Sequence, residues 1–455
     1  MGNLAFELKN WQWRRRSCPL RGGSVVACCK SAIPTAPAPS WEPASGRHLN
    51  QQRMYNLANQ AKAGFMKNTQ LPSLTSLRFF AALMVFFSHM GFIRQNPLTE
   101  NFYNTWFFEG YSGVTFFFIL SGFILAHSYQ DRIIEKKSSA IDFYIYRIAR
   151  IVPLHWLTMG IAMFFLWQRS GSWDFFSHEK FWPNLFLIQA WFSNVDLAFA
   201  YNHVAWSLSD EMFFYAMFPL LIRLGTRTMM ALLALLVVFM LIWLPVSLPF
   251  TSLTIWLFNT DRLPMFTDVG KYYAYWCPLF RIGDFMAGII LYRAWRSHRE
   301  LSAIQATILQ GISLVGLGVF YLFHKNVNDL YRFDLYYALP MALLIYAFAH
   351  QNGIYSRMLS NKVMVILGEA SFAFYMIHQL EIEYIGPEIV ERIPAIRALY
   401  FTPLYNVLIH FIISLTLSLL LFYLFEKNAQ RIFNKMLFSI KGFIAGRYVA
   451  IQIRK

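Results

Sequence analysis

From residue 71 to about residue 425 the chain is a succession of apolar runs, most of them close to the 20 residues a helix needs to cross a bilayer. No other feature narrows the fold so far. Composition agrees: 57% of the 455 residues are hydrophobic and 14% are charged, where an ordinary soluble domain carries about 25% charged residues. The expectation is an all-α integral membrane protein, a bundle of about ten transmembrane helices, rather than a large soluble core. The spans are placed near 74–93, 111–129, 152–168, 206–224, 229–249, 277–295, 303–323, 335–350, 363–386 and 402–425. The stretch KFWPNLFLIQAWF, 180–192, is apolar but short and interrupted by Pro183, and reads as interfacial or re-entrant. The connection 250–276 is long, aromatic and poor in charge, a candidate cover for a site.

A formal charge of +16 raises the question of nucleic acid. The basic residues do not form one patch, so nucleic acid is rejected as a partner. They lie in short connections and in the two tails, as the positive-inside rule expects. With the N-terminus inside, roughly 29 Lys and Arg fall inside and roughly 9 outside. Both termini are therefore expected in the cytosol. Residues 1–70 hold WRRR, a Cys28–Cys29 pair and PTAPAPSWEPASG, without an apolar secretory core. They read as a disordered basic cytosolic tail, with a membrane domain over 71–435 and a second basic cytosolic tail over 436–455. Cys18, Cys28, Cys29 and Cys277 show neither metal spacing nor a disulfide framework, so no metal is expected.

Ionisable residues inside spans cost several kcal/mol and are functional candidates. In SLRFFAALMVFFSHM, Arg78 and His89 are separated by eleven residues, about 20° past three helical turns. They share a face and are offset by roughly 16 Å along the axis. That suits a long ligand with an anionic end and a reactive end. It also suits an arginine at the headgroups and a histidine bonded to a neighbouring helix. In YRIARIVPLHW, Arg147 and Arg150 at i and i+3 point the same way, as a phosphate clamp or as a positive-inside anchor. WSLSDEMFFY places Asp210 and Glu211 side by side, able to orient an imidazole or to pair with Arg281. Arg281 and Asp284, at i and i+3 in FRIGDFMAGI, suit mutual neutralisation. Ser371, Tyr375 and His378 form one stripe that lines a polar cavity or joins helices. Gly113, Ser121 and Gly122 are read as packing residues.

These motifs, in this order, resemble the acyltransferase-3 family of integral membrane acyltransferases. The resemblance rests on Arg78 to His89, GVTFFFILSGF, RIARIVPLHW, WSLSDEMFFY, FRIGDFMAGI, SFAFYMIH and the closing FEKNAQRIF. It implies transfer of an acyl group, commonly acetyl, from cytosolic acyl-CoA to a hydroxyl of a cell-surface glycan or lipid-linked saccharide at a bacterial inner membrane. His89 would be catalytic, with Glu211 or Asp210 beside it. Arg78, Arg147 and Arg150 would hold the donor. Trp206, Ser371, Tyr375, His378, Arg281 and Asp284 are the remaining candidates for a polar cavity. A rival of a different class is a multi-span transporter or flippase, although no internal repeat favours it.

Overall fold

The computed structural model describes residues 71–453 apart from 96, 175, 259–271, 299 and 401. The expected N-terminal tail, with Cys18, Cys28 and Cys29, lies outside the described residues, as do residues 259–271 of the expected cover 250–276, whose two ends are helical, in Thr226–Phe258 and Tyr272–Trp276. The described residues form an all-helical protein without a strand. The long helices are α1 (Pro72–Ser88), α2 (Gly113–Ile134), α3 (Ala140–Ser170), α4 (Trp206–Leu221), α5 (Thr226–Phe258) and α6 (Pro278–Ser297). They continue with α7 (Ala303–Phe323), α8 (Leu335–Ala349), α9 (Lys362–Leu380), α10 (Pro403–Leu420) and α11 (Lys427–Ile453).

Local chemistry marks several ends. Pro72, Pro278 and Pro403 open helices where a missing N–H costs nothing. Ser302 and Gln305 close a capping box on α7. Gly171, in the left-handed region, ends α3. The stretch 180–192 is short helical pieces, His178–Leu185 and Gln189–Trp191.

A helix stands at each of the ten expected places. Among the described residues, however, only five helical stretches are long and apolar enough to cross a membrane: Pro97–Ile134, Ala140–Ser170, Ala303–Asn326, Lys362–Arg392 and Pro403–Ile444. Thr226–Ile242 and Leu335–Ala349 are apolar but shorter, and α4 has only 16 residues. α1 stops at Ser88 rather than running on to residue 93, and α6 carries Arg281, Asp284, Arg293 and Arg296 among its apolar residues.

The solvent these helices face is visible in α7. Ile304, Ile308, Ile312, Val315, Val319 and Leu322 form an exposed apolar stripe at spacings of three and four. The opposite face buries Gln310, whose Nε2 donates to Ser356 Oγ at 2.6 Å. Apolar side chains outside and satisfied polar side chains inside are what a hydrocarbon surround selects. Close helix packing uses small residues. A Cβ on Gly122 would stand 2.0 Å from the Phe285 carbonyl oxygen, and one on Gly288 would stand 2.0 Å from that of Ile119. α2 and α6 therefore meet backbone to backbone. α1 packs along α9, and this pairing frames the site.

Candidate active site

Five helices enclose a cavity of about 130 Å³. α1 contributes Arg78, α3 contributes Arg147 and Arg150, α4 contributes Glu211 and Tyr215, and α9 contributes Ser371, Phe372 and Tyr375. Phe117, Phe118 and Ser121 of α2 complete one wall. Ser121, read as a packing residue, thus also faces this space.

The three arginines differ in how firmly they are held. Among the described residues Arg78 makes no hydrogen bond or ion pair; the charges of Arg150, Glu211 and Glu426 act on it. Arg147 donates to Tyr129 Oη at 3.3 Å and lies over the Tyr129 ring at 5.4 Å. Its Nε is buried without a partner among the described residues. Arg150 donates to Glu426 Oε1 at 2.6 Å and lies over the Phe372 ring at 5.4 Å. Glu211 accepts from Tyr215 Oη at 3.0 Å. Three guanidinium groups thus face two carboxylates, an excess of positive charge that favours an anionic ligand.

Tyr375 marks the other end of the cavity. Its hydroxyl is shared with Ser207 Oγ at 2.8 Å, which ties α9 to α4. Three residues further on α9 is His378, fully buried, and its Nε2 lies 3.0 Å from Nδ1 of His89. His89 is the residue that caps α1. It therefore stands at a helix end instead of within a continuous span. Beyond the histidines a partly exposed group follows: His203 Nδ1 lies 3.0 Å from Glu383 Oε1, and Gln379 Nε2 donates to the same oxygen at 2.7 Å. His203 and Glu383 both act electrostatically on His89. Tyr375, His378 and Gln379 thus follow one another along α9 from the cavity to the partly exposed group, and neither histidine lines the cavity itself.

Other expected residues lie elsewhere. Arg281 is sealed from the cavity. It pairs with Asp284 at 3.1 Å and with Asp334, and donates to Thr115 Oγ1 at 3.1 Å. Asp210 is fully buried towards this group, and among the described residues both its carboxylate oxygens lack a hydrogen-bond partner. Trp206 is buried against Tyr275, ring centroids 4.7 Å apart. Ser371 faces the cavity but bonds back to the Gly368 carbonyl at 2.7 Å. Glu426, His203 and Glu383 escaped the sequence reading. Only Glu426 had left a trace, in FEKNAQRIF, and it arrives through a π-helical turn, Leu421–Glu426. Among the described residues no three His, Cys, Asp and Glu side chains gather as a metal ion would need.

The sequence profile of the acyltransferase-3 family, described as "Acyltransferase domain", matches residues 71–427. The chain belongs to this family. It is accordingly a membrane-embedded O-acyltransferase. Acyltransferase MdmB of Streptomyces mycarofaciens is 32% identical over 337 residues, 69% of this chain and 80% of that protein. The putative acetyltransferase ORF330 of Acidianus two-tailed virus is 27% identical, covering 70% of this chain and 86% of its own. O-acetyltransferase OatA of Staphylococcus aureus is 22% identical over 70% of this chain, which spans 52% of that protein. No solved structure matches.

Proposed function

We propose that this O-acyltransferase takes its acyl group, commonly acetyl, from cytosolic acyl-CoA and passes it to a hydroxyl of an extracytoplasmic or lipid-linked glycan. In this reading the enzyme sits in the inner membrane with both termini cytosolic, and residues 71–435 form the acyltransferase domain. One observation carries the proposal: Arg78, Arg147 and Arg150 share a cavity whose far end is one helical turn from His378 and its partner His89. The arginine forks suit the phosphates of the donor. The roughly 16 Å between Arg78 and His89 along α1 suits the pantetheine arm that carries the thioester.

His89 acts as general base. It takes the proton of the acceptor hydroxyl as that oxygen attacks the thioester carbonyl. A C–O bond forms, the C–S bond breaks, and the proton passes from His89 to the leaving thiolate. Glu211, on the cavity wall, stabilises positive charge along this path, whereas Asp210 is turned away from it.

The test is His89→Ala in inside-out membrane vesicles given radiolabelled acetyl-CoA. Transfer to vesicle saccharides is expected to vanish while the protein inserts at its normal level. Retained transfer would overturn the assignment.

A further inference from the structure

His89 and His378 form a pair whose proton arrangement follows from its surroundings. His378 Nδ1 lies 3.2 Å from the Phe374 carbonyl oxygen, four residues back on α9. A carbonyl only accepts, so this nitrogen carries the hydrogen. A neutral imidazole then presents a bare lone pair at its other nitrogen, Nε2. That atom faces His89 Nδ1 at 3.0 Å, so His89 Nδ1 is the donor. The same rule, applied once more, leaves His89 Nε2 without a hydrogen. Among the described residues the one side-chain partner of the ring is His378, at Nδ1, and the Val85 carbonyl, an acceptor four residues back on α1, also acts on the ring.

The His378 ring is also held mechanically. It lies nearly parallel to Phe374, centroids 6.1 Å apart and planes at 15°, with Phe86 edge-on at 6.2 Å. His378 is fully buried, and α9, which carries it, packs along α1. Its lone pair is therefore fixed in direction by the helix pairing itself.

We infer that His378 is a positioning residue. It accepts from His89 Nδ1, holds that ring in one tautomer and one orientation, and so makes Nε2 the atom that removes the acceptor proton. The inference rests on the proposed role of His89 as base. It resembles a carboxylate orienting a catalytic histidine, with a neutral imidazole in the carboxylate's place. A neutral orienter suits this position, because a buried carboxylate without a cation costs far more in an apolar surround. When His89 takes the proton, the new positive charge remains on a ring whose Nδ1–H already has an acceptor.

The experiment uses the full chain in inside-out vesicles with radiolabelled acetyl-CoA, comparing His378→Leu, His378→Gln and His378→Asn at matched inserted levels. His378→Leu removes the acceptor and is expected to lower the maximal rate about 10- to 100-fold, part of the roughly 10²–10⁴-fold a placed general base contributes. The acetyl-CoA concentration for half-maximal rate stays unchanged, since the arginines are untouched. His378→Gln places an amide oxygen near the former Nε2 and restores the rate to within a few-fold. His378→Asn, with its shorter amide, does not. A wild-type rate in His378→Leu overturns the inference, as does equal impairment in His378→Gln and His378→Asn, which marks a packing role. Where His378→Leu fails to insert, the Gln and Asn pair decides alone. Full activity in His89→Ala would instead sink the base assignment, whereas a dead His89→Ala beside an unimpaired His378→Leu sinks only the role of His378.

Discussion

Two groups of arginines and carboxylates stand on opposite sides of Phe118. Around the cavity, Arg78, Arg147 and Arg150 outnumber Glu211 and Glu426. In the sealed group, Asp210, Asp284 and Asp334 surround one fully buried Arg281, which lies over the Phe118 ring at 4.9 Å. The residue types are the same, and the chain even splits neighbours between the groups: Asp210 faces the sealed one and Glu211 the cavity. Access and the sign of the excess charge separate their roles. Open guanidinium groups in excess suit the anionic donor proposed for them. A guanidinium closed in by aspartates from α4, α6 and the start of α8 joins helices.

That contrast is broken most severely by Arg281→Ala. Removing the cation leaves three buried aspartates facing one another, and breaking a buried pair costs about 3–5 kcal/mol. Whole-protein stability is roughly 5–15 kcal/mol. The expected outcome is loss of monodisperse protein in detergent and a much lower unfolding temperature by tryptophan fluorescence. Wild-type yield together with lost transfer would place Arg281 in the chemistry instead.

Arg150→Ala comes next. It opens a pair with Glu426 at 2.6 Å but faces the cavity, where water can enter. Insertion is expected to stay normal. A charge-assisted hydrogen bond to the donor is worth about 1.5–3 kcal/mol, so the acetyl-CoA requirement should rise on the order of ten- to a hundredfold. An unchanged donor requirement in transport-free vesicles would reduce Arg150 to an anchor for Glu426.

Relations within one helix were legible in the sequence on both sides, the Arg281–Asp284 pair at i and i+3 included, for a physical reason. Arg78 with His89, Arg147 with Arg150, and Ser371 with Tyr375 are related by helical period, a rule that acts within one helix. The partition of Asp210 from Glu211 depends on which faces of α4 meet α6 and α9, and periodicity carries no such information. Asp334 precedes a helix, while Glu426 and Glu383 sit in π-helical turns, where the register of the preceding helix is broken. The His89–His378 contact joins residues 289 positions apart. The helices themselves were read from hydropathy, but Pro72–Ser88, Thr226–Ile242 and Leu335–Ala349 are apolar and too short to qualify, α4 has 16 residues, and the charged residues of α6 lower its apolarity. That is why ten expected spans correspond to five stretches that qualify by length and composition among the described residues.

A third arginine pair calibrates the other two. Arg296 on α6 donates to both carboxylate oxygens of Asp131 on α2, at 2.7 and 2.8 Å, and both side chains are about half exposed. Its geometry is as good as that of Arg150 with Glu426, but water competes for both partners. Exposed pairs contribute about 0–1 kcal/mol, and α2 and α6 are already locked by the backbone approach at Gly122 and Gly288. Arg296→Ala should therefore leave unfolding temperature and donor requirement within error of wild type, in the same fluorescence and vesicle assays. A rise in donor requirement comparable to that of Arg150→Ala would mean that donor contacts extend beyond the cavity to the ends of α2 and α6. Enclosure would then no longer be what distinguishes a ligand-binding arginine from a structural one in this bundle.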